Sequence, residues 1–203
     1  MGIKEKRAQQ KEAFRMEILD AARELFINDG YEKFSMRKLA KKIDYSPTTI
    51  YIYYNNKDDL LFAICEEYAK QFLNRLSQIR AASKDPLKAL RKALLYFTEF
   101  GISNPNQFKV FFFTKPDVYG TREEFMKKES MARSTYLIFR AIVKDCIDAG
   151  RLKKMDVEVL TQALGVVPHG LIVKAIYNSS FPIADNNVVA HALVNALLKG
   201  FQI

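Results

Sequence analysis

The sequence predicts an all-α protein, and three observations carry that reading. Apolar residues recur at i, i+3, i+4 and i+7 through nearly every segment. Segments open on capping side chains, twice with Pro at the first helical position, as Ser46-Pro47 and Asp85-Pro86. Residues that alternate as a half-buried strand would are missing; Val110-Phe111-Phe112-Phe113 could be a strand in isolation but lies between helices with no partner. At 203 residues, 49% of them hydrophobic, the chain can bury a sizeable core in one or two compact units. The pattern makes about nine helices, with neither repeats nor low-complexity tracts.

The first helix carries Ile18, Ala21, Ala22, Leu25 and Phe26 on one stripe and ends at Asn28-Asp29-Gly30, a glycine stop. Ahead of it, Lys4, Lys6, Arg7, Lys11 and Arg15 stand against Glu5 and Glu12. The default for such a segment is a solvated, frayed terminus. The alternative is a basic arm or helix extension that touches phosphate or the minor groove. Tyr31 and Phe34 then supply apolar surface to close a three-helix core.

The stretch from Ser35 to Lys57 holds two short helical patterns. Ser35 can N-cap the first, in which Met36, Leu39, Ala40 and Ile43 form one stripe and Arg37, Lys38, Lys41 and Lys42 occupy the other faces. Asp44 stands at the turn, and Asp tolerates the left-handed conformation. Ser46 caps the second helix, which runs from Pro47 to about Tyr54 and turns Ile50, Tyr51 and Tyr54 inward, leaving Thr48, Thr49, Ile52 and Tyr53 outside. A hydroxyl-bearing helix beside a basic one suits a major groove. The pattern by itself is equally compatible with plain architecture.

The residue order adds more. Ile18 to Leu61 contains A-A-x-x-L-F, then G-Y, then S-M-R-x-L-A, and finally S-P-x-T-I-Y-x-Y-Y-x-x-K-x-x-L. This resembles the DNA-binding domain of TetR-family transcriptional regulators. The resemblance implies that Ser35 and Arg37 lie near the phosphate backbone, that Thr48, Thr49 and Tyr53 contact bases or phosphates, and that Lys57 binds phosphate. Ser46 and Pro47 open the recognition helix and join that set. Hydroxyls and a helix N-terminus suit phosphate oxygens, and Lys offers a point charge. Thr48 and Asp44 replace Gly residues usual in the family, and Tyr45 replaces a small apolar one. No Arg, Asn or Gln faces out of the second helix, so phosphate, methyl and shape contacts are expected to outweigh bidentate base reading.

Asn56 can cap a long helix from Lys57 to about Arg80, with Leu60, Leu61, Ile64, Tyr68, Phe72, Leu76 and Ile79 in helical register. Asp85-Pro86 starts the next, ending near Gly101. Thr114 to Gly120 reads as a loop, and Thr121-x-x-Glu124 is a capping box opening a helix expected to run to Gly150. Asp156 caps a helix to about Tyr177 that is apolar nearly all round, with Pro168 expected to kink it. A turn at Phe181-Pro182 precedes the last helix, capped by Asp185, with Val189, Leu193, Ala196, Leu197 and Phe201 as its stripe. The expected division is residues 1–56 as the helix-turn-helix domain and 57–203 as a helical-bundle ligand-binding and dimerisation domain, joined by the helix 57–80.

A net charge of +9 favours an anionic partner. Cys65 and Cys146 sit far apart and read as buried thiols in a reducing compartment. With charges but no apolar run at its start there is no secretory pattern, and no run reaches the roughly 18 apolar residues of a bilayer span. A cytoplasmic protein with no membrane partner is therefore expected. No nucleotide, hydrolase or zinc-protease motif is present, so no catalytic residue, metal ligand or cofactor is assigned, and an enzyme is not expected.

Aromatics are dense in the second half. For each the plainer reading is core packing. The functional one is a pocket for a mostly apolar ligand lined by Phe97, Phe100, Phe108, Phe112, Tyr136, Phe139 and His169. Pro168-His169-Gly170 loosely resembles a Trp-His-Gly motif of one TetR subgroup, with Pro in place of Trp. Val166 and Val173 on one helix and Val189, Leu193, Ala196 and Leu197 on the last are expected to pair across a two-fold axis. The expectation is thus a homodimeric regulator, a repressor released from a palindromic duplex DNA operator by a small-molecule effector. The alternatives are a ligand-independent DNA-binding regulator with a solid C-terminal core, and a helical small-molecule-binding protein.

Overall fold

A computed structural model describes residues 2–115, 117–178 and 184–203. Among them are ten helices: α1 (Ile3–Lys33), α2 (Met36–Lys42), α3 (Pro47–Tyr51), α4 (Lys57–Ala82), α5 (Pro86–Ser103), α6 (Pro105–Phe113), α7 (Arg122–Lys127), α8 (Met131–Asp148), α9 (Val157–Tyr177) and α10 (Asn186–Phe201). The only extended pairing among the described residues is one bridge between Leu152 and Gln202. The turn predicted at Phe181-Pro182 lies outside the described residues.

The capping chemistry forms as expected. Ser35, Ser46, Asp85, Asp156 and Asp185 each accept a backbone N–H in the first turn of the helix they open. Asn56 Oδ1 accepts from the amides of Asp58 (2.8 Å) and Asp59 (2.9 Å). Each such cap contributes about 1 kcal/mol.

Several boundaries differ from expectation. The segment before Arg15 is helical, not frayed: α1 begins at Ile3 and is broken only at Gly30, whose φ of 76° permits the stop. The helix expected from Thr121 to Gly150 is two. The Thr121–Glu124 capping box forms, but Lys128 is extended, and Ser130 accepts from the Arg133 amide at 3.0 Å to cap a new helix. The residues after Asn104-Pro105 are helical, in line with the absence of a partner for any strand there. α9 runs on through Pro168 as one helix.

Gly101 does not end α5. It is buried inside the helix where α5 meets α9, and a Cβ there would come within 2.6 Å of the Ile172 Cδ1. The missing side chain leaves room for the Ile172 side chain, which is what glycine supplies here.

The described chain divides into two compact units, Met1–Tyr68 with Asn106–Lys128, and Ala69–Pro105 with Glu129–Ile203. The first is built on Ile18, Leu19, Leu39, Ile50, Leu60 and Ile64, all fully enclosed, with Phe26 stacked on Phe34 at 4.2 Å. In the second, α5 packs against α8, α9 and α10 around Leu90, Leu94, Ile142, Leu160 and Val194. By mean hydropathy α9 is long and apolar enough to cross a membrane, although it has no unbroken apolar run of that length. Its Leu160, Leu164, Pro168, Leu171 and Ile172 face is nonetheless buried within the second unit. Cys65 and Cys146 are free and buried, and burial pushes each thiol up to about 12.

Candidate nucleic-acid interface

The exposed surface of the first unit is organised by two caps and a turn. Ser35 Oγ accepts from the Lys38 amide at 3.2 Å and Ser46 Oγ from the Thr49 amide at 3.1 Å. Asp44, between them, has φ 55°, the left-handed turn expected of it. The turn closes by the Tyr45 amide donating to the Ala40 carbonyl at 3.0 Å. α2 buries Met36, Leu39 and Ala40 and exposes Arg37, Lys38, Lys41 and Lys42. Lys38 pairs with Asp29 at 3.3 Å and Lys42 with Glu24 at 2.8 Å, which leaves Arg37 outside the ion pairs of this helix.

α3 is shorter than expected, and its end changes which residues face out. Ile50 is fully buried, but Tyr51 is 51% exposed and Ile52 73% exposed. The Tyr53 amide donates to the Ile50 carbonyl at 2.9 Å, tightening the last turn. The Tyr54 amide reaches the same carbonyl at 3.1 Å; Tyr51 lies outward instead of inward, while Tyr54 is buried as expected. Tyr53 is half-buried, its ring 5.2 Å from that of Phe14, which also lies 4.4 Å from Tyr45. Thr48 is exposed; Thr49 is half-buried with its hydroxyl 2.8 Å from that of Ser46. Pro47 occupies the first helical position. The Lys57 ammonium is turned onto Tyr31, 3.3 Å from its carbonyl oxygen and 3.8 Å from its ring centre.

Behind this surface a charged cluster holds α1, the end of the recognition segment and α4 together. Arg15 donates to the Tyr54 hydroxyl at 3.0 Å and lies 3.5 Å from Glu67, whose other oxygen accepts from Arg23 at 2.9 Å. Burial raises the Glu67 carboxyl, against the opposing pull of Arg23 and Arg15. At the other edge, Asp58 accepts from Lys115 and from the Tyr31 hydroxyl, and these donors lower its carboxyl. Tyr119 donates to Glu66 at 3.0 Å.

Ile52 faces out as expected, Tyr51 was expected inside, and Phe14 escaped the sequence reading. Phe14 was legible in principle: the Ile18–Ala22–Leu25 stripe extended back by four residues reaches it.

The nominated pocket residues fall in both units. Phe108 and Phe112, on α6, belong to the first, with ring centres 4.5 Å apart. Phe97 and Phe100 on α5, Tyr136 and Phe139 on α8 and His169 on α9 belong to the second. There Phe72 sits 5.5 Å from Tyr96, 5.9 Å from Phe97 and 4.6 Å from Phe100. Tyr136 and Arg140 both donate to Glu158, which lowers its carboxyl. Burial lowers His169, favouring the neutral imidazole. Of the nominated pairing residues, Val166 is 68% exposed, Leu193 37% exposed and Ala196 exposed, while Val173, Val189 and Leu197 are half-buried.

A basic helix docked on α1, a left-handed turn and a short hydroxyl-capped helix packed on the basic one define the first unit as a helix-turn-helix DNA-binding domain. Residues 18–64 match the family profile of bacterial regulatory proteins, tetR family. Residues 18–64 thus form a TetR-type DNA-binding domain, and the chain is a DNA-binding transcriptional regulator. The fatty acid metabolism regulator protein of Bacillus subtilis (strain 168) is 27% identical over 157 residues, 76% of this chain and 79% of its own. The transcriptional regulator FadR from Bacillus subtilis, solved in complex with stearoyl-CoA, superposes with a TM-score of 0.75 at 21% identity, covering 92% of this chain and 99% of its own. A TetR family regulator from Marinobacter aquaeolei VT8 superposes with a TM-score of 0.75 at 22% identity, covering 96% and 98%. At such identities these likenesses establish the fold.

Proposed function

We propose that the chain is a cytoplasmic repressor that binds a palindromic operator as a homodimer and leaves it when a long-chain acyl effector occupies the second unit. The observation that carries the effector is the aromatic group on α4 and α5. Phe72, Tyr96, Phe97 and Phe100 meet edge-to-face and tilted, yet each is only half-buried in a unit whose Leu90, Leu94 and Ile142 are fully enclosed. Rings with apolar neighbours on one side and incomplete cover on the other suit the wall of a site for a hydrocarbon chain. Tyr136, Phe139 and neutral His169 are assigned to the same recognition task. The relative that regulates fatty acid metabolism and the structural neighbour solved with stearoyl-CoA support the acyl class.

The functional division is taken as residues 1–56 for DNA and 57–203 for regulation, with α4 as connector because it contributes to both compact units. Ser35, Arg37, Ser46, Pro47, Thr48, Thr49, Tyr53 and Lys57 form the DNA surface. The exposed side chains of α9 and α10 around Val166, Leu193 and Ala196 form the dimer seam. The effector acts by population shift, favouring a state in which the two recognition helices no longer match both half-sites. Losing one half-site forfeits the linked-binding advantage, so modest coupling suffices for release.

The test is displacement from a labelled operator duplex by palmitoyl-CoA and stearoyl-CoA, with free coenzyme A and a short acyl-CoA as controls. Release by the long chains alone, weakened in Phe100→Ala, is expected. Intact DNA binding that no acyl chain relieves would remove the effector from the reading.

A further inference from the structure

We propose that the N-terminal extension of α1 is a second DNA-contacting element, laying Lys4, Arg7 and Lys11 along duplex phosphates beside the recognition helix. This rests on the DNA-binding reading and extends its surface. At 100° per residue these three cations fall within about 60° of one another around the helix axis. Glu5, Lys6 and Glu12 all lie more than about 100° from the centre of that row. The charge on the extension is therefore segregated, not scattered.

Phe14 sets the direction of the row. It lies about 50° from the row's centre on the helical projection, and its ring is 4.4 Å from Tyr45 and 5.2 Å from Tyr53, the residues that bracket α3. The cations therefore share the side of α1 on which Tyr45 and Tyr53, the residues flanking the recognition helix, are packed. Lys4, Arg7 and Lys11 are exposed and enter none of the ion pairs among the described residues. Arg15, one turn further on, is by contrast committed to Glu12, Tyr54 and Glu67.

From Lys4 to Phe14 the helix rises roughly 15 Å, enough to follow several phosphates at about 3.4 Å of axis per strand. An anionic membrane surface is the weaker partner. The other faces of the extension carry Ala8, Gln9, Gln10 and Ala13, which give no apolar side to bury among acyl chains.

The test compares wild type with a Lys4→Gln/Arg7→Gln/Lys11→Gln variant on an operator duplex, by salt titration and hydroxyl-radical footprinting. Each phosphate contact contributes about 0.9 to the slope of log K against log salt, so the variant should lose up to about 3 per protomer. It should also lose protection at the outer flanks of the footprint while keeping the centre. Lys6→Gln should change neither readout, and the charge-preserving set Lys4→Arg/Arg7→Lys/Lys11→Arg should keep the wild-type slope. A wild-type slope and footprint in the neutral triple variant would overturn the inference, as would an equal loss in the charge-preserving set or in Lys6→Gln. A wild-type chain that protects no duplex would instead overturn the DNA-binding reading itself.

Discussion

The Lys115 ammonium lies 2.7 Å from the Asp58 carboxylate, which the Tyr31 hydroxyl also reaches. The turn after α6 is thereby tied to the first turn of α4 and the end of α1 inside the DNA-binding unit. Hydrogen bonds from Lys115, then Tyr31, hold the Asp58 carboxyl below its ordinary value. A lowered carboxyl contributes stability that is full above the unfolded aspartate value, about 3.9, and is lost as pH falls through the lower folded value. Melting curves of Asp58→Asn should show about 0.5 kcal/mol less stability at pH 7, small because the pair is screened by solvent. The deficit should shrink as pH falls below about 3.9 and vanish once the folded-state carboxyl is protonated. A constant deficit from pH 7 to pH 2.5 would contradict this account of Asp58.

Gly101→Ala should destabilise the second unit. Ala normally gains up to about 1 kcal/mol over Gly within a helix, but the added Cβ would meet three Ile172 side-chain carbons between 2.6 and 2.9 Å. Ile172 is fully enclosed and has nowhere to move, so overpacking of about 1–3 kcal/mol should win. Chemical denaturation of the single variants and of Gly101→Ala/Ile172→Ala gives the check. The double variant should be more stable than the sum of the singles implies; strict additivity would mean the two positions do not compete for space.

Leu193→Glu should yield monomers in sedimentation or light scattering. Leu193 is partly exposed on α10 and points away from the Ala190, Val194 and Leu198 face that packs inside the chain. A carboxylate there should therefore leave the fold of each chain intact while burying a charge in any pairing of these faces. A stable dimer of the variant would move the interface elsewhere.

Affinity for the operator should fall steeply with salt and only shallowly with single base changes. The exposed side chains of the recognition segment are Thr48, Tyr51 and Ile52, and none offers a bidentate base pairing. Hydroxyls, the Tyr ring and the Ile side chain can contact phosphates and thymine methyls instead. Penalties of more than about 2 kcal/mol at several base pairs would show direct readout that this surface does not account for.

Local chemistry was legible wherever one side chain decides one backbone group. Ser35, Ser46, Asn56, Asp85, Asp156 and Asp185 cap the helices they were expected to cap, and Asp44 takes the left-handed turn. What the sequence concealed depends on residues distant along the chain. Gly101 looks like a helix stop because glycine often is one; only Ile172, on another helix, shows that its role is to leave room for that side chain. Tyr51 was expected inside on helical period, yet it is 51% exposed. The terminus before Arg15 looked frayed by composition, yet Phe14 and Arg15 find their partners some 30 to 50 residues further along, at Tyr45, Tyr53, Tyr54 and Glu67.

The measurement that bears most directly on the account is selection of bound sequences from random duplex DNA by the purified chain, at fixed salt. A palindromic consensus with half-sites about one helical turn apart, 34–36 Å, is the predicted result, with protection lost in Thr48→Ala/Tyr53→Ala. Enrichment of no sequence above the salt-dependent background would contradict operator recognition by this helix-turn-helix.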